Sequence, residues 1–133
     1  MFPWLNRGCI YIAVLSGKSN VLWDYRDMLC NFAERNHHKI QVILTTSKGA
    51  LLQSIRPFSR KPDFIIVADP LNKYQYRMFI EQLERRRSHA KVFFMGTREV
   101  QEGYEKRIIS VGNKEKLERY LEKEIDWIQR KRL

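Results

Sequence analysis

Short apolar runs alternate with helix-like segments along this chain, and that alternation constrains the fold more than any single motif does. Four runs have the length and composition of strands buried on both faces, at 10–15, 40–44, 64–68 and 92–95. A shorter and less apolar run at 108–111 predicts a fifth strand nearer a sheet edge. Strands that alternate with helices predict a parallel sheet covered by helices, and such sheets bind ligands at the carboxyl ends of their strands.

The segments between the strands have the spacing of amphipathic helices. The first helix is predicted over about 21–34, the second from Lys48 to before Pro57, the third over about 73–88 and the last over about 114–131. A further, poorly defined helix is expected after the fourth strand. With right-handed crossovers this is an α/β three-layer αβα sandwich, with a five-stranded parallel sheet in the flavodoxin-like order 2-1-3-4-5. The whole chain is expected to form a single domain.

The composition fits a cytoplasmic protein. Hydrophobic residues make up 44% of the chain, enough for a core, and no apolar run approaches the roughly 20 residues that a membrane span needs. The first residues lack the order of charge, apolar stretch and cleavage site that marks a signal peptide. Cys9 and Cys30 are expected to be buried, reduced thiols rather than a disulfide.

The chain is strongly basic, with a formal net charge of +10 that is spread over both halves. The densest basic clusters are two runs of three residues: Arg85, Arg86 and Arg87, and then Arg130, Lys131 and Arg132. Such a field favours nucleic acid, an anionic membrane surface or an acidic protein, and charge alone does not choose among them. Because no base-reading motif accompanies the clusters, nucleic-acid binding is expected to be weak and independent of sequence.

The third and fourth strands resemble those of a known family. Segment 62–70 reads Pro-Asp-Phe-Ile-Ile-Val-Ala-Asp-Pro and resembles the third strand of bacterial response-regulator receiver domains, in which a Pro-Asp pair precedes a strand ending in the phosphoacceptor aspartate. The resemblance implies that Asp69 holds that position. It also implies that Thr97, at the end of the fourth strand, matches the Thr or Ser that contacts the phosphoryl group. Length and element order match over nearly the whole chain.

The same resemblance has departures at the site. Receivers carry an acidic pair just after the first strand, which binds Mg²⁺ together with the phosphoacceptor, whereas this chain has Ser16, Gly17 and Lys18 there. One carboxylate is a poor Mg²⁺ site and a lysine competes with a cation, so the sequence predicts a pseudo-receiver in which Lys18 pairs with Asp69. Lys114 lies beyond the position of the receiver lysine but is the candidate to reach the site. A purely structural Asp69 that caps the following helix is an open alternative.

The loop after the first strand suggests two other chemistries. Gly17-Lys18-Ser19 looks like the end of a P-loop, but Ile12 stands where that motif needs a glycine, which excludes it. The loop 15–20 also resembles the phosphate-binding loop of flavodoxins, yet the later loops lack aromatics to stack a flavin. No metal-ligand spacing or catalytic constellation is visible. No cofactor is therefore expected, while anion binding by the loop 16–20 stays open.

These observations predict a regulatory or assembly module that binds another protein and is not an enzyme. Receivers commonly use the face made by the fourth helix, fifth strand and last helix. Carried over, that face contains Tyr104, Arg107, Lys114, Arg119 and Tyr120. The alternative is a nucleic-acid-associated accessory protein that uses the basic surface. A flavin carrier ranks third, and a homodimer is an open question.

Overall fold

The computed structural model describes residues 9–55, 61–96 and 107–132. Five strands are present: β1 (Cys9–Leu15), β2 (Lys39–Thr45), β3 (Phe64–Val67), β4 (Lys91–Met95) and β5 (Ile108–Val111). Four helices are described: α1 (Ser19–Arg35), α2 (Lys48–Ser54), α3 (Lys73–Arg85) and α4 (Lys114–Arg132). The poorly defined helix expected after the fourth strand falls outside the described residues.

All neighbouring strands in the sheet are parallel, in the order β2-β1-β3-β4-β5. The predicted receiver-like, flavodoxin-like order is confirmed. β1 lies between β2 and β3, so that Ile12 pairs with Val42 on one side and with Phe64 on the other. The loops that follow β1 and β3 consequently emerge side by side at the carboxyl edge.

Helices cover both faces of the sheet, which makes the three-layer sandwich predicted from the sequence. Along β3, Phe64 and Ile66 enter a core with residues of α1 and α4. Ile65 and Val67 enter a second core, with residues of α2 and α3. Both faces of the strand are dry, which explains why its sequence is a continuous apolar run rather than an alternating one.

The apolar stripe of α4 faces the sheet as its spacing predicts. Leu117, Leu121 and Ile125 are fully buried, and Ile128 packs against them while partly buried. The polar side of the helix is exposed, and comprises Lys116, Arg119, Lys123, Asp126 and Arg130. α4 therefore buries one face against the core and leaves the other for solvent or a partner.

Two helices end on a residue in the left-handed conformation. His37 follows α1 with φ 57°, and Arg87 follows α3 with φ 55°. After α3 the Arg87 N–H donates to the Glu84 carbonyl and the Ser88 N–H to the Leu83 carbonyl, both at 3.0 Å. These are the two bonds of a Schellman cap, whose left-handed position usually belongs to glycine.

The expectation that both cysteines are buried is wrong for Cys30. Cys9 and Cys30, both among the described residues, form no disulfide; Cys9 is half-buried and Cys30 is exposed. The inward face of α1 is set by Leu22, Tyr25 and Leu29, and residue 30 is turned about 100° away from Leu29 around the helix axis. No helix in the described ranges is long and apolar enough to cross a membrane.

Candidate functional site

Asp69 lies just beyond β3 at the carboxyl edge of the sheet, and both oxygens of its carboxylate are engaged. The Ser16 hydroxyl donates to Oδ1 at 2.7 Å, and the Gly17 backbone N–H donates to Oδ2 at 2.6 Å. Both donors belong to the loop after β1, which the pairing of β1 with β3 makes a neighbour. The carboxylate thus ties the two loops together through charge-assisted hydrogen bonds.

Ser16 is the best-fixed member of this cluster. It is fully buried, and its backbone N–H donates to the Thr45 carbonyl at 3.1 Å. Its hydroxyl oxygen also accepts from the Lys18 N–H at 3.1 Å. The hydroxyl proton and a lone pair are both in use, so the Asp69 contact is part of a connected network rather than an isolated bond.

The predicted ion pair between Lys18 and Asp69 is not observed. The Lys18 side chain is exposed, and among the described residues no salt bridge joins it to Asp69. The physical reason is local. Ser16 and Gly17 donate hydrogen bonds to both oxygens of the carboxylate. Lys18 is the N-cap residue of α1, and its carbonyl accepts from the Val21 and Leu22 N–H groups.

Lys114 and Thr97 do not complete the receiver-like site either. The Lys114 ammonium lies 4.8 Å from the ring centroid of Tyr25, a cation–π contact that directs it to α1. Burial raises the pKa of Tyr25, whose ring belongs to the core beside α4. No salt bridge between Lys114 and Asp69 occurs in the part of the chain that the structure describes. Thr97 lies outside the described residues.

The predicted partner face is only partly assembled as expected. Arg107 does not belong to it, because its guanidinium Nη2 donates to the Ser88 carbonyl and so joins the start of β5 to the turn before β4. The residue is half-buried, its Nε has no hydrogen-bond partner, and burial lowers the pKa of Arg107. Tyr104 lies outside the described residues. Arg119 and Tyr120 remain.

Arg119 and Tyr120 line an open groove of about 440 Å³ on the outer face of α4, together with Lys116 and Lys123. Tyr120 is 38% exposed. None of the three cations takes part in a salt bridge within the described ranges. Lys116 and Lys123 were not part of the predicted partner face, although their spacing with Arg119 and Tyr120 places all four on adjoining turns of one helix face. We call these four residues the α4 groove.

The two basic clusters have divided roles. Arg86 donates to the Leu52 carbonyl at 3.0 Å and to Gln82 at 2.9 Å, which binds α3 to α2. Arg85 is exposed. In the second cluster Arg130 pairs with Asp126 at 3.0 Å. The Lys131 ammonium lies 4.5 Å from the ring centroid of Trp127, and the side chain of Arg132 lies outside the described part. The remaining member, Arg87, lines a separate groove at the amino edge of the sheet.

The carboxylates, imidazoles and thiols of the described residues do not cluster. No group of three or more His, Cys, Asp or Glu residues comes together there in a way that could hold a metal ion. At the carboxyl edge, the described residues offer one carboxylate, Asp69, held by a hydroxyl and a backbone amide.

The fold is similar to that of a solved response regulator receiver protein from Sinorhizobium medicae. The two structures superpose with a TM-score of 0.54 over 94% of this chain and 98% of that protein, at 9% sequence identity. Identity this low shows a shared fold and nothing further. No protein-family model matches the sequence, and a search of curated proteins finds no match.

Proposed function

We propose that this protein is a receiver-like regulatory module in which Asp69 is not phosphorylated, and that it acts by binding another protein. One observation carries the first half of the proposal. Both oxygens of Asp69 accept hydrogen bonds from Ser16 and Gly17, the two residues that stand where receiver domains carry their acidic pair.

Phosphoryl transfer to a carboxylate requires an oxygen free for in-line attack and cations that neutralise the charge of the transferring group. Here Asp69 Oδ1 accepts a hydrogen bond from the Ser16 hydroxyl, and Oδ2 accepts one from the Gly17 backbone N–H. Ser16 and Gly17 contribute no carboxylate that could hold Mg²⁺ beside it. The network stabilises the loops without any cation, as expected for a site that supports a fixed shape.

Intact-mass measurement after incubation with a small phosphodonor and Mg²⁺ tests this half. We expect no phosphoryl adduct. A stoichiometric adduct that disappears in Asp69→Asn would contradict the proposal.

Gly17→Asp provides a matched variant for the metal. A Cβ at this position would lie 3.5 Å from Asp69 Oδ2, an ordinary contact, so a side chain can start there beside the Asp69 carboxylate. We expect Mg²⁺ to raise the melting temperature of Gly17→Asp because it relieves the repulsion between two carboxylates. The unsubstituted protein should show no such rise. An equal rise in both would mean that the native loop already binds the cation.

The α4 groove supports the second half of the proposal. It presents three cations that form no salt bridge among the described residues, around a partly exposed tyrosine. Tyr and Arg are the side chains that most often dominate binding energy at protein interfaces. Unpaired cations attract a segment of opposite charge and repel a basic one. The proposed partner is therefore a protein with an acidic docking segment.

A photo-cross-linking amino acid at position 120, introduced in the cells that produce the protein, tests this surface. We expect it to capture a discrete protein that the same reagent at exposed position 23 on α1 does not capture. Arg119→Glu should abolish the capture and Arg26→Glu, an equal charge change on α1, should leave it intact. Equal capture from both positions, or equal loss with both charge reversals, would contradict the assignment of the α4 groove.

A further inference from the structure

A second groove, with a volume of about 540 Å³, lies at the amino edge of the sheet, where β3 and β4 begin. Its walls come from the start of these strands, the turn after α3 and the last turns of α4. The residues that matter for recognition are Lys61, Arg87, His89, Lys91, Glu124 and Trp127. We call this the amino-edge groove. It is at the end of the sheet opposite Asp69, so a ligand could bind here independently of the carboxyl edge.

The fold brings one residue from each basic cluster of the sequence to this groove. Arg87 from the first cluster lines it directly. Lys131 from the second lies 4.5 Å from the ring centroid of Trp127, which forms another wall. The convergence arises because α3 and α4 both run antiparallel to the strands, so their carboxyl ends meet at the amino edge.

The amino-edge groove keeps a small excess of positive charge, because three cations, Lys61, Arg87 and Lys91, line it with two carboxylates, Asp63 and Glu124. Glu124 pairs with Lys91 at 2.7 Å, and the Asp63 carboxylate accepts from the Tyr11 N–H at 3.0 Å. In the described part of the chain, neither Lys61 nor Arg87 takes part in a salt bridge. These cations remain available to an anionic ligand.

Trp127 adds an aromatic surface beside these cations. It is 57% exposed, although tryptophan is usually mostly buried. Ile128, the next residue, packs partly into the core. The exposed indole is therefore attached to a helix that is anchored in the core. A rigid exposed indole next to unpaired cations is the combination that binds nucleobases by stacking and phosphates by charge.

Arg87 occupies its place in the groove at a conformational cost. It holds the left-handed position of the Schellman cap, with φ 55°, where glycine would be free of strain. The neighbouring Arg85 and Arg86 already supply positive charge to the end of α3. The end of α3 therefore already carries positive charge without Arg87.

We infer that the amino-edge groove binds single-stranded nucleic acid, with a base stacked on Trp127 and phosphates contacted by Lys61, Arg87 and Lys131. A duplex offers phosphates but keeps its bases paired and stacked, so it cannot use the indole. A peptide of acidic residues alone satisfies the cations but offers no flat ring to Trp127, whereas a nucleotide always pairs a phosphate with a planar base. Single strands satisfy both features.

Fluorescence anisotropy with a labelled oligothymidylate of about 12 nucleotides tests the stacking contact. In low salt, at about 50 mM, we expect Trp127→Ala to weaken binding about fivefold or more and Trp127→Phe to retain most of the affinity. Trp23→Ala is the matched control, because Trp23 is 54% exposed and also has a cation, Arg26, 5.2 Å from its ring centroid. That variant should bind as the unsubstituted protein does.

Two further variants test the phosphate contacts. Arg87→Gly removes a cation and relieves the left-handed strain, so it should weaken binding at least threefold while the protein becomes more stable. His37→Gly relieves the same strain at the end of α1 and should raise stability with no change in binding. Lys123→Ala removes an equal charge from the α4 groove and should change affinity by less than about twofold, since screening limits its reach.

Three results would overturn the inference. The first is equal weakening by Trp127→Ala and Trp23→Ala, which would mean that the indole of the groove has no special role. The second is equal weakening by Arg87→Gly and Lys123→Ala, which would mean that binding follows net charge alone. The third is competition by a duplex of the same length, or by polyglutamate, as strong as competition by the single strand. Polyglutamate competition would assign the groove to an acidic protein. All variants are at exposed positions, and a thermal melt of each confirms that it is folded.

Discussion

The substitution Asp69→Asn tests whether the Asp69 carboxylate stabilises the two loops or is instead repelled by neighbouring acids. In the native network Oδ1 accepts from the Ser16 hydroxyl at 2.7 Å and Oδ2 from the Gly17 N–H at 2.6 Å. Asparagine keeps one acceptor oxygen, which can face the Gly17 N–H only if the Ser16 hydroxyl turns to accept from the new amide N–H. We expect a loss of stability, because both bonds lose their charged acceptor and the Ser16 hydroxyl loses the partner of its proton.

The magnitude follows from the exposure of the two contacts. A hydrogen bond to a charged group contributes about 1.5–3 kcal/mol to stability. The Gly17 contact is open to water while Ser16 is fully buried, so solvent replaces part of what is lost on the Gly17 side. We therefore expect Asp69→Asn to cost about 1–2 kcal/mol. With a urea dependence of about 1–3 kcal/mol per molar, the denaturation midpoint should fall by about 0.3–2 M.

Urea denaturation followed by circular dichroism measures this shift, with Asp126→Asn as the control. Asp126 is an exposed carboxylate that pairs with Arg130 across one helical turn at 3.0 Å, and its loss should change stability by less than about 0.5 kcal/mol. The direction in which Asp69→Asn moves the denaturation midpoint is the informative result. Were Asp69 crowded by other carboxylates, removal of its charge would relieve repulsion and raise the midpoint. A midpoint that is unchanged or higher refutes the structural role assigned to Asp69.

Two further substitution pairs test the packing and the helix ends. Leu121→Ala removes a fully buried side chain of α4 and should lower the free energy of unfolding by about 2–5 kcal/mol in chemical denaturation. Lys123→Ala on the exposed face should lower it by less than about 0.5 kcal/mol. The reverse ranking would mean that the faces of α4 are wrongly assigned. Arg87→Gly and His37→Gly, at φ 55° and 57°, should each raise stability by about 0.5–1 kcal/mol, because the left-handed conformation costs other residues more than glycine loses in chain entropy. A lower melting temperature in either variant would show that the native side chain stabilises the cap.

The α4 groove and the amino-edge groove are predicted to serve different ligands. The α4 groove is open on the outer face of α4, and the amino-edge groove is at the end of the sheet where β3 and β4 begin. α4 contributes to both, through Arg119 and Tyr120 near its middle and Trp127 near its end. A protein partner and a nucleic acid could therefore engage neighbouring parts of one helix, and the cross-linking and anisotropy experiments report on them separately.

The strands, their order and the buried face of α4 were predictable from the sequence. Runs such as 64–67 are apolar at every position because both faces of β3 are covered, and that leaves a parallel sheet between helix layers as the matching architecture. Leu117, Leu121 and Ile125 recur at the helical period and are all fully buried. Hydrophobic periodicity is a local property of the chain, so it can be recognised without knowing what the element packs against.

The partners of the polar groups were decided by the tertiary structure. Lys18 was predicted to meet Asp69, but Ser16 and Gly17 do so, since the course of a loop over one or two residues determines which donor arrives. One basic run in the sequence, 85–87, divides among three environments. Arg85 is exposed to solvent, Arg86 donates a hydrogen bond to the Leu52 carbonyl, and Arg87 lines the amino-edge groove. Hydrogen bonds and charge contacts between distant segments depend on strand pairing and loop geometry, which leave no periodic signal in the sequence.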